Sequence, residues 1–482
     1  MDALTDLVST INGYLSNWVL LILLIAMGLF FTIRTKFIQF RCFGEGWRRL
    51  FGNFSLHGGK QESGISSFQA LATAVAAQVG TGNIVGACGA ILLGGPGAIF
   101  WMWIIALLGM ATNYAEAVLA QKTRVVDADG NVHGGPVYYI KTAFKGSFGS
   151  FLAGFFAVSI ILSLGFMGCM VQSNSIASTM DTAFGIPTWA MGLVIVLLAG
   201  IVFIGGIHRL ASVTEKLVPI MAILYIIGSI IVLIMNIGNL PQAFALIFTC
   251  AFNPQAQFAG VGFGIIAAMT QGAKRGLFSN EAGMGSTPHA HALANVKDPH
   301  DQGVVAMTGV FVDTIVVVSM TALVVISVLY CGDGALAQAY AALTPGSNAD
   351  PAAIAATVSL NKTNMAQAAF ASFFGEGFGN AFVAICLLFF AFSTILSWNL
   401  FAKLNVEYLF PKNSKTAVLV FSVVALGFIF MGAMLSNDLV WELQDMFNQL
   451  MVLPNAIALF ALSGIVSQCA LAHKGGKNKE SK

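Results

Sequence analysis

Apolar residues recur along this chain in stretches of about twenty, the length of helix that crosses a bilayer's hydrocarbon core, parted by short polar loops. On that measure spans are predicted at 18–33, 66–93, 98–121, 151–180, 188–205, 217–237, 258–289, 303–330, 377–401, 417–435 and 441–469. The expected fold class is an all-α polytopic membrane protein with eleven transmembrane helices. The spans are spread evenly, so no hydrophilic block is left to fold by itself. A single transmembrane domain is therefore expected over 1–482, with 470–482 as a tail.

Composition agrees, since 57% of the residues are hydrophobic and 9% charged, whereas soluble domains carry roughly a quarter charged residues. The formal net charge of +2 points to neither nucleic acid nor an acidic partner. Seven cysteines stand singly, without metal-ligand spacing, and are read as packing residues; a Cys250–Cys331 bridge is left open. The patterns HExxH and GxSxG and the phosphate-binding loop are absent from the sequence, which argues against an enzyme and against an ATP-driven pump.

Eleven spans place successive loops on alternate sides, so the rule that Lys and Arg stay cytoplasmic tests the count. Twenty of the 23 basic residues, from Arg34, Lys36, Arg41, Arg48, Arg49 and Lys60 to Lys474, Lys477, Lys479 and Lys482, fall on one side. The expected topology is an outer N-terminus and a cytoplasmic C-terminus in the plasma or inner membrane. Within the first loop, Arg34 to Arg49 with Phe37, Phe40, Phe43 and Trp47 reads as an amphipathic segment drawn to anionic lipid.

Two spans are interrupted by glycine and polar residues. The second contains Val79-Gly80-Thr81-Gly82-Asn83 and the seventh Ser279-Asn280-Glu281 with Gly283 and Gly285. Unpaired backbone is tolerated at membrane depth only where it lines a protein-enclosed cavity. The two breaks are five spans apart, an odd number, so their helices enter from opposite sides. That predicts inverted repeats, 66–237 and 258–469, with 18–33 as an added helix and a binding site at the midplane.

The run Gly94 to Gly109, GGPGAIFWMWIIALLG, with LFSNEAGMGSTP from Leu277 to Pro288, resembles the signatures of the alanine or glycine:cation symporter family. The likeness takes in VGTGN and AFSTILSWN (Ala391 to Asn399) and nearly the whole chain. It implies the leucine-transporter-type fold, ten core helices in two inverted halves, and the uptake of a small neutral amino acid coupled to sodium, with no other cofactor. VGTGN is also similar to the break of sodium-coupled leucine and neurotransmitter transporters. That resemblance implies that the NH groups of Thr81 and Gly82 hold the substrate carboxylate. It also implies one sodium held by the carbonyls of Ala76 and Val79 with the hydroxyls of Ser393 and Thr394, and a second near Gln78 and Asn83. Gln78 stands where those transporters have a small residue.

The residue chemistry suits such a cargo. A helix fragment that begins at a break offers free NH groups to a carboxylate, and one that ends there offers carbonyls, those of Phe278 and Ser279, to an ammonium. Gly283, in the same break, is counted with the substrate contacts. Trp398, one turn from Thr394, and Phe278 are expected to wall the side-chain pocket. Gln172 is open between a substrate contact and inter-helix glue. Arg275 and Glu281 flank the second break as a pair or as gate residues. Glu116 and Asp313 are open between cation relays and satisfied buried acids, the latter being the default, and His289 and His291 are expected in a solvated loop. Alanine, glycine, serine and glutamine are not separated by the sequence, nor are sodium and proton, and a channel is the less favoured class. Oligomeric state is not legible.

Overall fold

The computed structural model describes residues 2–52, 64–128, 130–204, 206–253, 264–343 and 349–473. The described chain is helical apart from a two-stranded hairpin, Val125–Val126 with Val132–His133. Among the described residues six helices are long and apolar enough to cross a membrane: Ala98–Thr123, Gly146–Phe184, Arg209–Met235, Pro299–Tyr330, Glu376–Leu409 and Pro411–Met434. Each overlaps an expected span. Two further pairs reach that length only across a bend, Ser67–Gln78 with Gly82–Gly94 at 47° and Asn437–Ala461 with Ser463–Ala472 at 61°. Leu21–Arg34 and Thr188–Phe203 are apolar but shorter. Of the expected seventh span, 258–263 lies outside the described residues, as do Lys60, Lys474, Lys477, Lys479 and Lys482.

Burial sorts these helices into an inner and an outer set. In the apolar window of Pro299–Tyr330, 78% is covered by protein, against 39% for Arg209–Met235 and 28% for Pro411–Met434. The last two therefore turn Leu, Ile and Val outward, which only lipid makes tolerable over so long a surface. The inner helices carry the polar residues. Small side chains set their spacing, as at Gly272, where a Cβ would stand 2.6 Å from Trp101 Cβ and 2.7 Å from the Ala98 carbonyl.

Two expectations are corrected here, and two alternatives left open by the sequence are closed. His289 and His291 are buried, at 1% and 0% exposure, because the chain after the second break turns back into the protein; Asn405 meets His289 Nε2 at 2.8 Å and Gln302 meets His291 Nδ1 at 2.9 Å. Cys250 and Cys331 are both free thiols. Arg275 and Glu281 do not pair, since Arg275 forms a bidentate bridge to Asp445 (3.0 and 2.9 Å) and Glu281 accepts from Trp398 and Ser286. The basic loop segment is only partly amphipathic in the expected sense: Phe37 and Phe40 are exposed, but Phe43 and Trp47 pack on Phe311. Its Arg41 donates to the carbonyls of Ala470 and His473.

Candidate functional site

Ser67–Gln78 starts at a capping box, in which Ser66 and Gln69 satisfy each other's backbone NH groups. It stops because Val79 leaves the helical region at φ −80°, ψ 86°. The chain then re-enters helix through a wide turn, Gly82–Gly86. Asn83 closes the gap by accepting from the Gly80 NH at 2.9 Å. The second break follows Ile265–Asn280, where Glu281 takes a left-handed conformation at φ 58°, and ends where Pro288–Leu293 begins. Both predicted interruptions are thus present, and both are buried.

Side chains from four other helices converge on the first break. Thr394 Oγ1 donates to the Ala76 carbonyl at 2.8 Å, and Gln172 Oε1 accepts from the Thr81 NH at 3.0 Å. Gly80 lets them come this close, because a Cβ would lie 2.4 Å from Thr394 Oγ1 and 3.1 Å from Gln172 Oε1 and would displace them. At Gly82 a Cβ would press on Phe278 and the Ser279 Cα at 3.0 and 3.1 Å. The two breaks therefore touch, with Gln78 Nε2 donating across to the Asn280 carbonyl at 2.7 Å.

Asp313 joins them more firmly. Its Oδ1 accepts from Asn83 Nδ2 at 2.6 Å, and its Oδ2 accepts from Ser279 at 2.9 Å and Thr314 at 2.7 Å. It is fully buried, without a Lys or Arg among these partners. A carboxylate so placed is costly unless a cation or several donors meet it. At the first break two buried atoms, Thr81 Oγ1 and Gln78 Oε1, have no hydrogen-bond partner among the described residues.

Aromatic rings roof the site. Phe278 meets Trp398 edge-on at 5.7 Å and Trp441 at 4.8 Å. Trp398 Nε1 donates to Glu281 Oε1 at 2.5 Å, so its ring faces inward and is not lipid-facing. Over Trp441 lies the Arg275 guanidinium, 4.4 Å from the ring centre, held by Asp445; Lys274 adds a second cation on Asp445 at 2.9 Å.

Ala76, Gln78, Val79, Thr81, Gly82, Asn83, Gln172, Phe278, Ser279, Thr394 and Trp398 thus belong to one buried region. Two expected members do not join it. Ser393 donates to the Phe390 carbonyl at 2.9 Å and faces Met221 Sδ, and Gly283 donates its NH to Glu116 at 3.0 Å. Glu116 is a satisfied acid: it also accepts from the Gly285 NH (2.9 Å) and Asn455 Nδ2 (2.7 Å). Asp445, Asn448 and Asn455 were missed. The available signal was the polar positions Gln444, Asp445, Asn448 and Asn455, which share one side of the helix Asn437–Ala461.

The fold and the site define a polytopic membrane protein built around two interrupted helices. A family model described as the sodium:alanine symporter family matches residues 1–482, and the chain belongs to that family. It is 40% identical over 463 residues to an uncharacterised transporter of Haemophilus influenzae, covering 96% of this chain and 94% of that one. It is 39% identical to the sodium/alanine symporter AgcS of Methanococcus maripaludis, covering 96% and 95%. With the probable sodium/glutamine symporter GlnT of Bacillus subtilis the identity is 38%, covering 96% and 89%. In fold it is similar to MhsT, solved in complex with L-phenylalanine (TM-score 0.57, 14% identity, 86% of this chain and 99% of that one). A sodium-coupled sialic acid symporter is also similar (TM-score 0.52, 14% identity, 88% and 82%).

Proposed function

We propose that this protein couples inward sodium movement to uptake of a small neutral amino acid, alanine or glycine, by alternating access. The observation that carries the reading is the meeting of both helix breaks at Asp313, Asn83 and Ser279, a set of oxygen donors around one buried negative charge. Sodium prefers such hard ligands, and the unpartnered Gln78 Oε1 and Thr81 Oγ1 extend the set. A second sodium is assigned to the Ala76 and Val79 carbonyls with Thr394. The substrate carboxylate is assigned to the NH groups of Thr81 and Gly82, and its ammonium to the carbonyls at Phe278 and Ser279. For the Thr81 NH to serve, Gln172 must release it or share it.

The same reading takes eleven spans, ten of them as inverted halves 66–237 and 258–469, with the basic loops cytoplasmic. Its support is the odd separation of the two breaks and the fold likeness. One charge moving through about 100 mV supplies roughly 2.3 kcal/mol, enough for more than tenfold accumulation of substrate. The name of the Bacillus subtilis relative favours glutamine as the competing cargo; the rings of Phe278 and Trp398 favour a small one.

Uptake of labelled alanine, glycine and glutamine by the purified protein in liposomes, with and without an inward sodium gradient, decides between them. Sodium should stimulate alanine or glycine entry above glutamine, and Asn83→Ala and Thr394→Ala should abolish the stimulation. Unchanged stimulation in both variants would remove the ion assignment.

A further inference from the structure

Away from the two breaks, on the face that carries the basic loops, three chemically matched groups converge. Cys42, Glu45 and His300 each offer one ligand atom, and these atoms lie within 4.8 Å of one another. Cys42 ends the short helix Ile38–Arg41, and Glu45 lies in the first turn of Phe43–Gly52. His300 is the second residue of Pro299–Val310, where Asp298 accepts from its backbone NH. Gly46 brings the segments together: a Cβ there would lie 2.3 Å from Thr308 Oγ1 and 2.7 Å from the Val304 carbonyl. Only glycine permits so close an approach.

The histidine is prepared for a ligand. Its side chain is 0% exposed, and Nε2 is buried without a hydrogen-bond partner among the described residues. Its Nδ1 lies 2.8 Å from the Tyr114 hydroxyl, which itself donates toward Cys469 Sγ. The hydrogen bond at Nδ1 fixes the ring and leaves Nε2 turned toward Glu45, the arrangement in which a metal-binding imidazole is held by its other nitrogen. Glu45 Oε2 stands 3.5 Å from Nε2, while Arg49 holds Oε1 at 2.8 Å. Ligands on a tetrahedral zinc are roughly 3.4 Å apart, so the carboxylate is already at the right distance from the imidazole, and the thiol lies within 4.8 Å of both.

We propose that Cys42 Sγ, Glu45 Oε2 and His300 Nε2 bind a thiophilic divalent cation of the zinc class, at a site separate from the transport machinery. Sulfur with imidazole selects zinc over calcium or magnesium. Binding displaces the thiol proton to water, and thiolate and carboxylate then neutralise the two positive charges. Arg49 keeps its second partner, Asp301, at 2.7 Å. A water completes the tetrahedron. The bound ion would fasten the loop segment to the helix that runs on through Phe311–Val318 to Asp313, restraining the cycle. That last step rests on the transport reading; the binding does not.

Cobalt(II), a coloured stand-in for zinc, tests the site in the purified, reduced full-length chain. One equivalent should bind with a thiolate-to-cobalt charge-transfer band that zinc abolishes. Cys42→Ser should lose the band, and His300→Gln or Glu45→Gln should weaken affinity at least tenfold, while Cys250→Ser changes nothing. Zinc should also shield Cys42 from alkylation, a readout in the unmutated protein. A band that survives Cys42→Ser, or a Cys42 equally alkylated with and without zinc, overturns the proposal. In liposomes, zinc on the basic-loop face should slow sodium-driven uptake at least fivefold, and Cys42→Ser should relieve it. Stoichiometric binding without inhibition would leave the site and remove the restraint on the cycle; binding by a protein that transports nothing would count against the transport reading alone.

Discussion

The two helix breaks are built in opposite ways. The first is brief and uses no left-handed backbone: Val79 turns out of the helix, Gly80 passes close to Thr394, and Asn83 reaches back to tie the ends. The second runs from Glu281 to Thr287 and uses left-handed backbone at Glu281, Gly283 and Gly285 (φ 58°, 90° and 82°). It is braced from outside. Glu116 holds two of its NH groups, Asn455 donates to the Gly283 carbonyl, and Thr287 donates to Asn113. One break presents its polar groups to neighbours at the site, whereas the other spends most of its own on keeping its shape. Exposed peptide groups alone therefore do not identify a binding surface; their partners do.

The largest expected effect comes from removing the brace. Glu116→Ala leaves the NH groups of Gly283 and Gly285 buried and unmet, at about 1–3 kcal/mol each, a large share of a total stability of about 5–15 kcal/mol. Little monodisperse protein should survive detergent extraction, and thermal unfolding of what remains should come many degrees lower. If Glu116→Ala unfolds at the normal temperature, the second break is not held as described and the contrast fails.

Next in size is Gly80→Ala, which should leave the fold intact. The added methyl meets Thr394 Oγ1 at 2.4 Å, forcing the hydroxyl off the Ala76 carbonyl, so sodium-driven uptake should fall more than tenfold with an unchanged unfolding temperature. Wild-type uptake would mean that Thr394 and the first break do not act together. Asp313→Asn should follow, raising the sodium concentration for half-maximal uptake about tenfold, equivalent to about 1.4 kcal/mol, because shape is kept while the charge is lost. An unaltered sodium dependence would reduce Asp313 to a packing residue.

What was legible in advance follows the same contrast. Apolar length marked the helices, and glycine next to Asn, Ser or Glu marked both breaks, since each is a local property of the chain. Leu240–Phe252 and Met365–Phe374, apolar but 13 and 10 residues long, fell below a bilayer's thickness and went unpredicted. The braces were not legible, because Glu116 meets Gly283 across 167 residues and Asn455 across 339, and no local pattern announces such a partner. His289 and His291 were misplaced for the same reason: a stretch of small and polar residues after a break reads as loop, yet Asn405 and Gln302 reach them from other helices. Asp313 could be suspected as an acid within a span, but its role as the junction of both breaks needed Asn83 and Ser279 in place beside it.

The smallest expected effect separates two adjacent hydroxyls. Ser393 and Thr394 are neighbours on one helix, and sequence resemblance assigns both to sodium. Only Thr394 reaches the first break. Ser393 donates to the Phe390 carbonyl one turn back and lies against Met221, a bond that serves its own helix. Ser393→Ala should therefore keep sodium-stimulated uptake within twofold of wild type, while Thr394→Ala loses it. If Ser393→Ala instead abolishes stimulation, its hydroxyl must turn toward the Ala76 and Val79 carbonyls when sodium binds. The first break would then draw on both residues and rearrange on loading, rather than being poised in the geometry seen here.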